Sequence, residues 1–560
     1  MTQSLLAGPI VDPVPPDSEG AREIGFQIPQ RYNASEILFQ NLDNGNASRT
    51  AVIGPQRRRT YGELCEDAAR FGNVLLALGA RRGDRVLMLL DDTEAYPAAF
   101  FGAVRAGLVP LLINTLSHPD LLKFYLADSG AALAVAEAAL VEKFSALTAD
   151  ETPLKTIVVV NGNAPSIGIE TRRAEHLIRE ASPQLAVAGT HRNDMAFWMY
   201  STGSTGRPKG IVHLQHDMPY TAASYGNHIL RLTSEDICYS VPKMFFAYGF
   251  GNSITFPFSV GAASLLMPGQ PKPAIIFDAI RRFRPTVFFG LPTLYVTLTK
   301  AAESPMAELG SLRLSMSAAE VLPTDVFEKW KAMSGLEIVE GLGSTEVLHV
   351  YLSNTPEWRK PASAGLRVSG YEVSLRDRDG DELDGEGTGI LWVRGDSNTP
   401  CYWNQPDKTA ETIRDGGWIN TGDRFSRDAD GFYYFLGRAD DLVKISGQWV
   451  YPLEVELCLA EHPSVRECAV LAVQLPDRST TLKAFVVVDS QSPATHETTG
   501  LLQEYVKQKL LPYKYPRSIE FLGELPKTGT GKVDRQKLLA SFASQETGGA
   551  GECTGRARAT

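Results

Sequence analysis

Residues 201–210 read STGSTGRPKG and follow an apolar run, Met195–Tyr200. Glycine lets a backbone turn and approach a ligand with no Cβ in the way, and successive N–H groups can converge on an anion. Here Gly203 and Gly206 alternate with the hydroxyls of Ser201, Thr202, Ser204 and Thr205, and Lys209 adds a positive charge. That combination suits phosphate. It is not a Walker A loop, which ends in Gly-Lys-Ser/Thr; Lys209 stands between Pro208 and Gly210. The bland alternative is a flexible surface loop, but so many small and hydroxyl residues directly after an apolar strand are uncommon in a plain linker, so the stretch alone favours a ligand site.

Four later stretches supply what a nucleotide site would still need. GLGSTE (341–346) brings Thr345 and Glu346. A carboxylate beside phosphate is unfavourable unless a cation lies between them, and Mg²⁺ is held in that way by one or two carboxylates plus phosphate oxygens. WINTGD (418–423) offers Asp423, expected just after a tight turn, where a carboxylate can accept both hydroxyls of a ribose. GRADD (437–441) supplies Arg438, and PKTGTGKVDR (526–535) sets Lys532 in a second Gly/Thr loop. Each is weak singly; in this order they are specific.

The elements that must position these residues predict an α/β protein. Short β-like runs (84–90, 109–114, 155–161 and the TVFFG stretch from 286) alternate with helix-like ones (94–107, 121–130, 273–285), which argues for βα units around mainly parallel sheets. From about residue 365 the pattern turns to hairpins with Asp-Gly turns. A smaller α+β segment closes the chain, with a hairpin at 465–489 and a helix at 501–511. The expected division is a loose arm over 1–20, a large N-terminal domain of βα-layered sheets plus a β-rich part over 21–439, a small mobile C-terminal α+β domain over 440–542, and a disordered tail over 543–560.

Size and composition fit that division. The chain has 560 residues, too many for one ordinary core. Its net charge is −10, with no basic run to read as a nucleic-acid surface, so an anionic ligand must be held locally. Six cysteines (Cys65, Cys238, Cys401, Cys458, Cys468 and Cys553) include no CxxC pair and read as free thiols in a reducing compartment. No apolar stretch approaches a membrane span, and the N-terminus lacks the basic region of a signal peptide, so a cytoplasmic location is expected.

Taken together, STGSTGRPKG, GLGSTE, WINTGD, GRADDLVKISGQWVYPLEVE and PKTGTGKVDR resemble the ordered motifs of the acyl-adenylate-forming (acyl-CoA synthetase) superfamily over residues 30–542. KMFFAYGFGN (243–252), GLGSTEVLHVYLSN (341–354) and CYWNQPDKT (401–409) bring the resemblance closest to benzoate–CoA ligases and their aryl relatives. The resemblance implies a two-step reaction. A carboxylate attacks the α-phosphate of ATP to give acyl-AMP and pyrophosphate, and the thiol of CoA then displaces AMP. It also implies a C-terminal domain that rotates between the steps.

Carried over residue by residue, the resemblance assigns Lys532 to the carboxylate and α-phosphate during adenylation, Glu346 to Mg²⁺ and Thr345 to phosphate. Residues 201–206 and Lys209 would cradle the β- and γ-phosphates, and Asp423 and Arg438 the ribose. Neutralising phosphate charge is most of the catalytic task, because a carboxylate and a polyphosphate repel. Asp440 matches the hinge, and Gly447 a turn lining the pantetheine tunnel. Trp449 either packs along that tunnel or in a core.

The acyl pocket implied by the same resemblance consists of Phe246, Ala247, Tyr248, Ala319, Leu342, Gly343 and His349, apolar walls with small residues that suit a flat ring. Phe245 reads as core instead. Two departures stand out: Leu342 where many adenylating relatives have Tyr, and Ala319 where benzoate-type ligases usually have Gly. His349, the one polar candidate, either meets an ortho substituent such as the amino group of 2-aminobenzoate or orients a loop. His213 and His216 read as structural. The leading expectation is an aryl-acid–CoA ligase using ATP, Mg²⁺ and CoA on benzoate or a small substituted benzoate, with no nucleic-acid or membrane partner. The alternatives are a stand-alone adenylating enzyme that loads a carrier-protein thiol and a nucleotide-binding scaffold without catalysis; Lys532 and Glu346 argue against the last.

Overall fold

The structure, a computed structural model, describes residues 19–148, 150–202, 208–301, 309–377, 379–414, 416–441, 443–445, 448–474, 480–489, 492–527 and 533–548. Its contacts divide the chain into two compact units. One runs up to Thr421 and includes Arg427–Tyr434; the other comprises Gly422–Ser426 and the chain from Phe435 on.

Two large sheets dominate the first unit. The seven-stranded sheet runs Glu170–Arg173, Thr156–Val160, Leu133–Glu137, Arg85–Leu89, Val109–Leu112, Met195–Thr202 and Pro208–Leu214. All its neighbours are parallel except the last pair. The inner strands read as mostly apolar runs because both faces are covered, whereas the edge strand Glu170–Arg173 is polar and partly exposed. In Arg85–Leu89, Val86 and Met88 join one core cluster while Leu87 and Leu89 join another, the period-two alternation of a strand.

The nine-stranded sheet has a parallel centre: Ile338–Gly343, Leu314–Ala318, Val287–Gly290, Ile237–Ser240, Ala263–Leu265 and Thr50–Ile53. Antiparallel strands edge it on both sides. Phe288, Tyr295 and Trp330 pack on one face of this sheet, with the Phe288 and Trp330 rings stacked at 5.8 Å. Burying an aromatic side chain of this kind stabilises the fold by about 1.5–3 kcal/mol.

Helices Tyr61–Ala77 and Ala95–Arg105 join the principal core, which takes residues from both large sheets. The first helix starts at a reciprocal cap: Thr60 Oγ1 accepts from the Glu63 amide (3.2 Å) and the Glu63 carboxylate accepts from the Thr60 amide (2.8 Å). The expected Asp-Gly hairpin region holds Glu372–Arg376 paired antiparallel with Gly387–Arg394.

In the second unit, Val465–Gln474, Thr480–Val488 and Ser518–Phe521 form a three-stranded sheet covered by helices Pro452–Ala460 and His496–Lys509. The hairpin and helix expected from the sequence are its centre. Among the described residues no helix is long and apolar enough to cross a membrane.

Candidate active site

Ser201 and Thr202 end the strand Met195–Thr202, which returns antiparallel as Pro208–Leu214 with Ser201 opposite Lys209. The Gly/hydroxyl stretch therefore spans a hairpin at the sheet edge, unlike the strand-to-helix turn of a P-loop. Gly203, Ser204, Thr205 and Gly206 lie outside the described residues. Lys209 leaves the hairpin with its ammonium 4.5 Å from the centre of the Tyr402 ring.

Thr345 and Glu346 follow the strand Ile338–Gly343 of the other large sheet. Two contacts tie their turn to the hairpin. His213 Nε2 donates to the Thr345 carbonyl (2.9 Å), while its Nδ1 faces Asp217 Oδ2 at 2.8 Å. The Tyr402 hydroxyl donates to Glu346 Oε1 at 2.9 Å. His216 is buried and bonds the carbonyls of Arg192 and Asp396. Both histidines are thus structural bolts, and His213 acts directly on the Thr345 turn.

Among the described residues no three carboxylates, histidines or cysteines cluster to hold a metal by protein alone. Glu346 is half-buried, with Ser344 and Thr345 beside it. An oxygen donor set of this kind fits a cation that takes its other ligands from phosphate.

Several of the expected pocket residues lie at or after the carboxyl ends of parallel strands in one sheet, the usual ligand position in open α/β sheets. Ile237–Ser240 leads to Phe246, Leu314–Ala318 ends at Ala319, and Ile338–Gly343 carries Leu342 and Gly343. Phe246, Tyr248, Ala319, Leu342 and Gly343 are all partly exposed, whereas Phe245 is buried in the core. Ala247 begins a helical run (Ala247–Phe250) that widens into a π-turn at Gly251–Thr255 before Phe256–Ser259, a distortion frequent at functional sites.

His349 fills the space behind that π-turn. Its ring packs on Tyr225 (5.0 Å), Tyr248 (5.5 Å) and Phe256 (4.5 Å). A Cβ on Gly251 would stand 2.4 Å from His349 Cδ2, so only glycine permits this approach. Burial pushes the His349 imidazole down to about 3, which keeps the ring neutral at physiological pH. Its Nε2 faces the Tyr248 carbonyl (3.4 Å), which makes Nδ1 the acceptor. His349 Nδ1 is buried without a hydrogen-bond partner, and the buried Tyr248 hydroxyl lies beside the Asn252 amide. Tyr248 and Asn252 add buried polar groups to the region of the expected His349. Asn252 and Tyr402 both lay within the quoted stretches, but side-chain type alone did not single them out.

In the second unit Asp423 does not follow a tight turn; it lies inside the ten-residue strand Trp418–Arg427. Gly422 takes a φ of +69° within that strand. Asp423 accepts from Arg438 Nη1 at 2.9 Å. Asp440 lies in a single helical turn, Ala439–Asp441, and Trp449 in the strand Gln448–Val450 opposite Lys444. Gly447 and Lys532 lie outside the described residues. Lys527 and Val533, on either side of residues 528–532, form an isolated antiparallel bridge. Just beyond it Arg535 makes a bidentate pair with Glu456 (both 2.9 Å) and donates to the Val470 carbonyl.

The model of the AMP-binding enzyme family matches residues 39–403, and that of the AMP-binding enzyme C-terminal domain residues 454–532. The chain belongs to the AMP-binding enzyme family. Among its relatives this AMP-binding enzyme is 40% identical to a benzoate–CoA ligase of Thauera aromatica, over 92% of its own length and 97% of that protein. It is 34% identical to an anthranilate–CoA ligase of Pseudomonas aeruginosa, over 90% of its own length and 96% of that protein. Its fold matches the crystal structure of an anthranilate CoA ligase in complex with anthranoyl-AMP with a TM-score of 0.86 and 35% identity, covering 95% of this chain and 100% of that one. The mixed α/β two-domain fold expected from the sequence is the fold of the family.

Proposed function

We propose that this AMP-binding enzyme is an ATP-dependent aryl-acid–CoA ligase that activates a small benzoate as aryl-AMP and transfers the aryl group to CoA. One observation carries the reading. Phe246, Tyr248, Ala319 and Leu342 are partly exposed and follow or end strands of the sheet whose strand Ile338–Gly343 leads into the Thr345–Glu346 turn. A planar acid bound there would present its carboxylate toward bound phosphate. The relatedness to benzoate–CoA and anthranilate–CoA ligases points the same way.

Ser201–Gly206 and Lys209 would hold the β- and γ-phosphates, Thr345 a phosphate oxygen, and Asp423 and Arg438 the ribose. Lys532 would neutralise charge between the incoming carboxylate and the α-phosphate, where repulsion is greatest. Glu346 would hold Mg²⁺, which when bound supplies positive charge between that carboxylate and the phosphates. The protein's residues orient the acid, exclude water and offset charge; the attack itself needs no covalent enzyme intermediate. Asp440 is assigned to the hinge, and Gly447 and Trp449 to the path of the CoA thiol.

The ring's substituent is read from the polar base of the pocket. A buried His349 Nδ1 acceptor without a partner, beside Tyr248 and Asn252, suits a ring bearing an N–H or O–H donor, such as 2-aminobenzoate, because leaving that acceptor unpaired is unfavourable. The test is pyrophosphate release with ATP, Mg²⁺ and CoA on benzoate, 2-aminobenzoate, hydroxybenzoates, cinnamate and short fatty acids. Aryl acids turn over fastest, with a donor-bearing ring ahead of benzoate; faster turnover of fatty acids than of every aryl acid overturns the reading.

A further inference from the structure

We propose that Tyr402 is a positioning residue that holds the Lys209 ammonium and the Glu346 carboxylate at a fixed separation for the adenylation step. The role rests on the aryl-acid activation proposed above, whereas the contacts do not. Tyr402 is 3% exposed. Its hydroxyl donates to Glu346 Oε1 at 2.9 Å, and its ring face meets Lys209 Nζ at 4.5 Å. One neutral side chain therefore touches an anion and a cation that come from different sheets.

The chemistry of that junction matters. A direct ion pair would spend each charge on the other. A phenol holds the carboxylate by hydrogen bond and the ammonium by its ring quadrupole, and neither contact neutralises the charge it holds. The two contacts also reinforce each other. An O–H polarised by a carboxylate enriches the ring in electron density, which strengthens its grip on the ammonium.

The main chain around Tyr402 is fixed on both sides of the same junction. Tyr402 pairs with Ile211 in an isolated antiparallel bridge, and the Trp403 amide donates to the Gly210 carbonyl at 2.7 Å. Three residues earlier, the Thr399 amide donates to the Glu346 carbonyl (2.7 Å) and Thr399 Oγ1 to the Val212 carbonyl (2.8 Å). The Tyr402 amide donates to Thr409 Oγ1 at 3.0 Å. Residues 399–403 are thus a clip between the Lys209 strand and the Glu346 turn, and Tyr402 extends the clip from backbone to charge. Its backbone anchors do not need its side chain, so the side chain can be changed alone.

The experiment compares full-length Tyr402→Phe and Tyr402→Leu with the parent chain. Mn²⁺ serves as the metal probe, by electron paramagnetic resonance in the presence of a non-hydrolysable ATP analogue, and analogue binding is also measured without metal. Pyrophosphate release is titrated against Mg²⁺. Tyr402→Phe keeps the ring and weakens Mn²⁺ binding in the ternary complex about tenfold, as expected for a lost hydrogen bond to a charged group. It raises the Mg²⁺ requirement in parallel and leaves the KM for the aryl acid unchanged. Tyr402→Leu adds a loss of about threefold in metal-free analogue binding through Lys209. The proposal is overturned if Tyr402→Phe binds Mn²⁺ and responds to Mg²⁺ as the parent does, or if the effect falls on the KM for the aryl acid instead. If no aryl acid supports pyrophosphate release by the parent, the activity reading fails while the binding comparisons still decide the role of Tyr402. If Tyr402→Leu does not fold, Tyr402→Phe decides it alone.

Discussion

The Arg438 guanidinium occupies the space that a Cβ on Gly422 would take: Nη2 stands 2.8 Å from that point. From there Nη1 reaches the Asp423 carboxylate at 2.9 Å. The glycine thus does two things at once, taking a φ of +69° within the strand and leaving room for the arginine. Gly422→Ala strains the backbone by about 1–3 kcal/mol and displaces Arg438 from Asp423. If this pair holds the ribose, the KM for ATP rises about tenfold, the scale of a lost charge-assisted hydrogen bond, while the KM for the aryl acid is unchanged. Steady-state kinetics with each substrate varied in turn checks it; an unaltered ATP dependence would remove the pair from the nucleotide site.

Ala319 has a φ of +77°, a left-handed conformation that L residues avoid. It follows directly on the strand Leu314–Ala318 and is only partly buried. Ala319→Gly relieves the strain at the cost of a freer unfolded chain, for a net gain of about 0.5–1 kcal/mol. Removing a methyl beside the proposed ring site also broadens acid preference, by a factor within the 10–200 range of one methyl's discrimination. Denaturant midpoints and kcat/KM across substituted benzoates measure the two effects. A destabilised glycine variant would show that packing at this methyl outweighs the backbone term.

Glu340 lies two residues before Leu342 and is buried, which pushes its carboxyl up from 4.5 to about 8. The folded chain therefore keeps a proton that the unfolded chain has released. That stability is complete below pH 4.5 and declines as pH climbs toward 8, by at most about 1.4 kcal/mol per unit. His349 works in the opposite sense: burial lowers its pKa to about 3, so its contribution is present above pH 6.5 and is lost on acidification. Glu340→Gln is expected to match the parent near pH 5 and to be the more stable protein at pH 8. Denaturant unfolding at pH 5, 6.5 and 8 decides it, and parallel pH profiles for the two proteins would refute a neutral buried Glu340.

The strands and helices were legible because apolar runs between turn residues leave few alternatives: Arg85–Leu89 and Pro273–Phe283 fall where their periodicity puts them. Asp423 was misplaced because a Thr-Gly-Asp triplet reads as a turn, whereas it lies within a ten-residue strand that pairs with three others. The pocket was legible only as a list of residues. That His349 is neutral and packed among aromatic rings, and that Tyr402 joins Lys209 to Glu346, depend on contacts between residues 56 or more positions apart. No local spacing encodes these.

Lys532 carries the sharpest expectation. Lys527 and Val533 bridge on either side of residues 528–532, and Arg535 Nη2 donates to both carboxylate oxygens of Glu456, so the chain on both sides of the lysine is anchored whatever residue 532 is. Lys532→Ala should therefore fold as the parent does. If the ammonium offsets the repulsion between carboxylate and α-phosphate, its loss lowers aryl-AMP formation by about 10²–10³, the usual effect of removing one preorganised charge-stabilising group. The second half-reaction has no such repulsion, since a thiol attacks an acyl carbon. Transfer from preformed aryl-AMP to CoA should stay within about threefold of the parent, well under 1 kcal/mol. Single-turnover measurement of each half-reaction separates the two, and an equal loss in both would mean that Lys532 serves substrate binding in general and not the adenylation step.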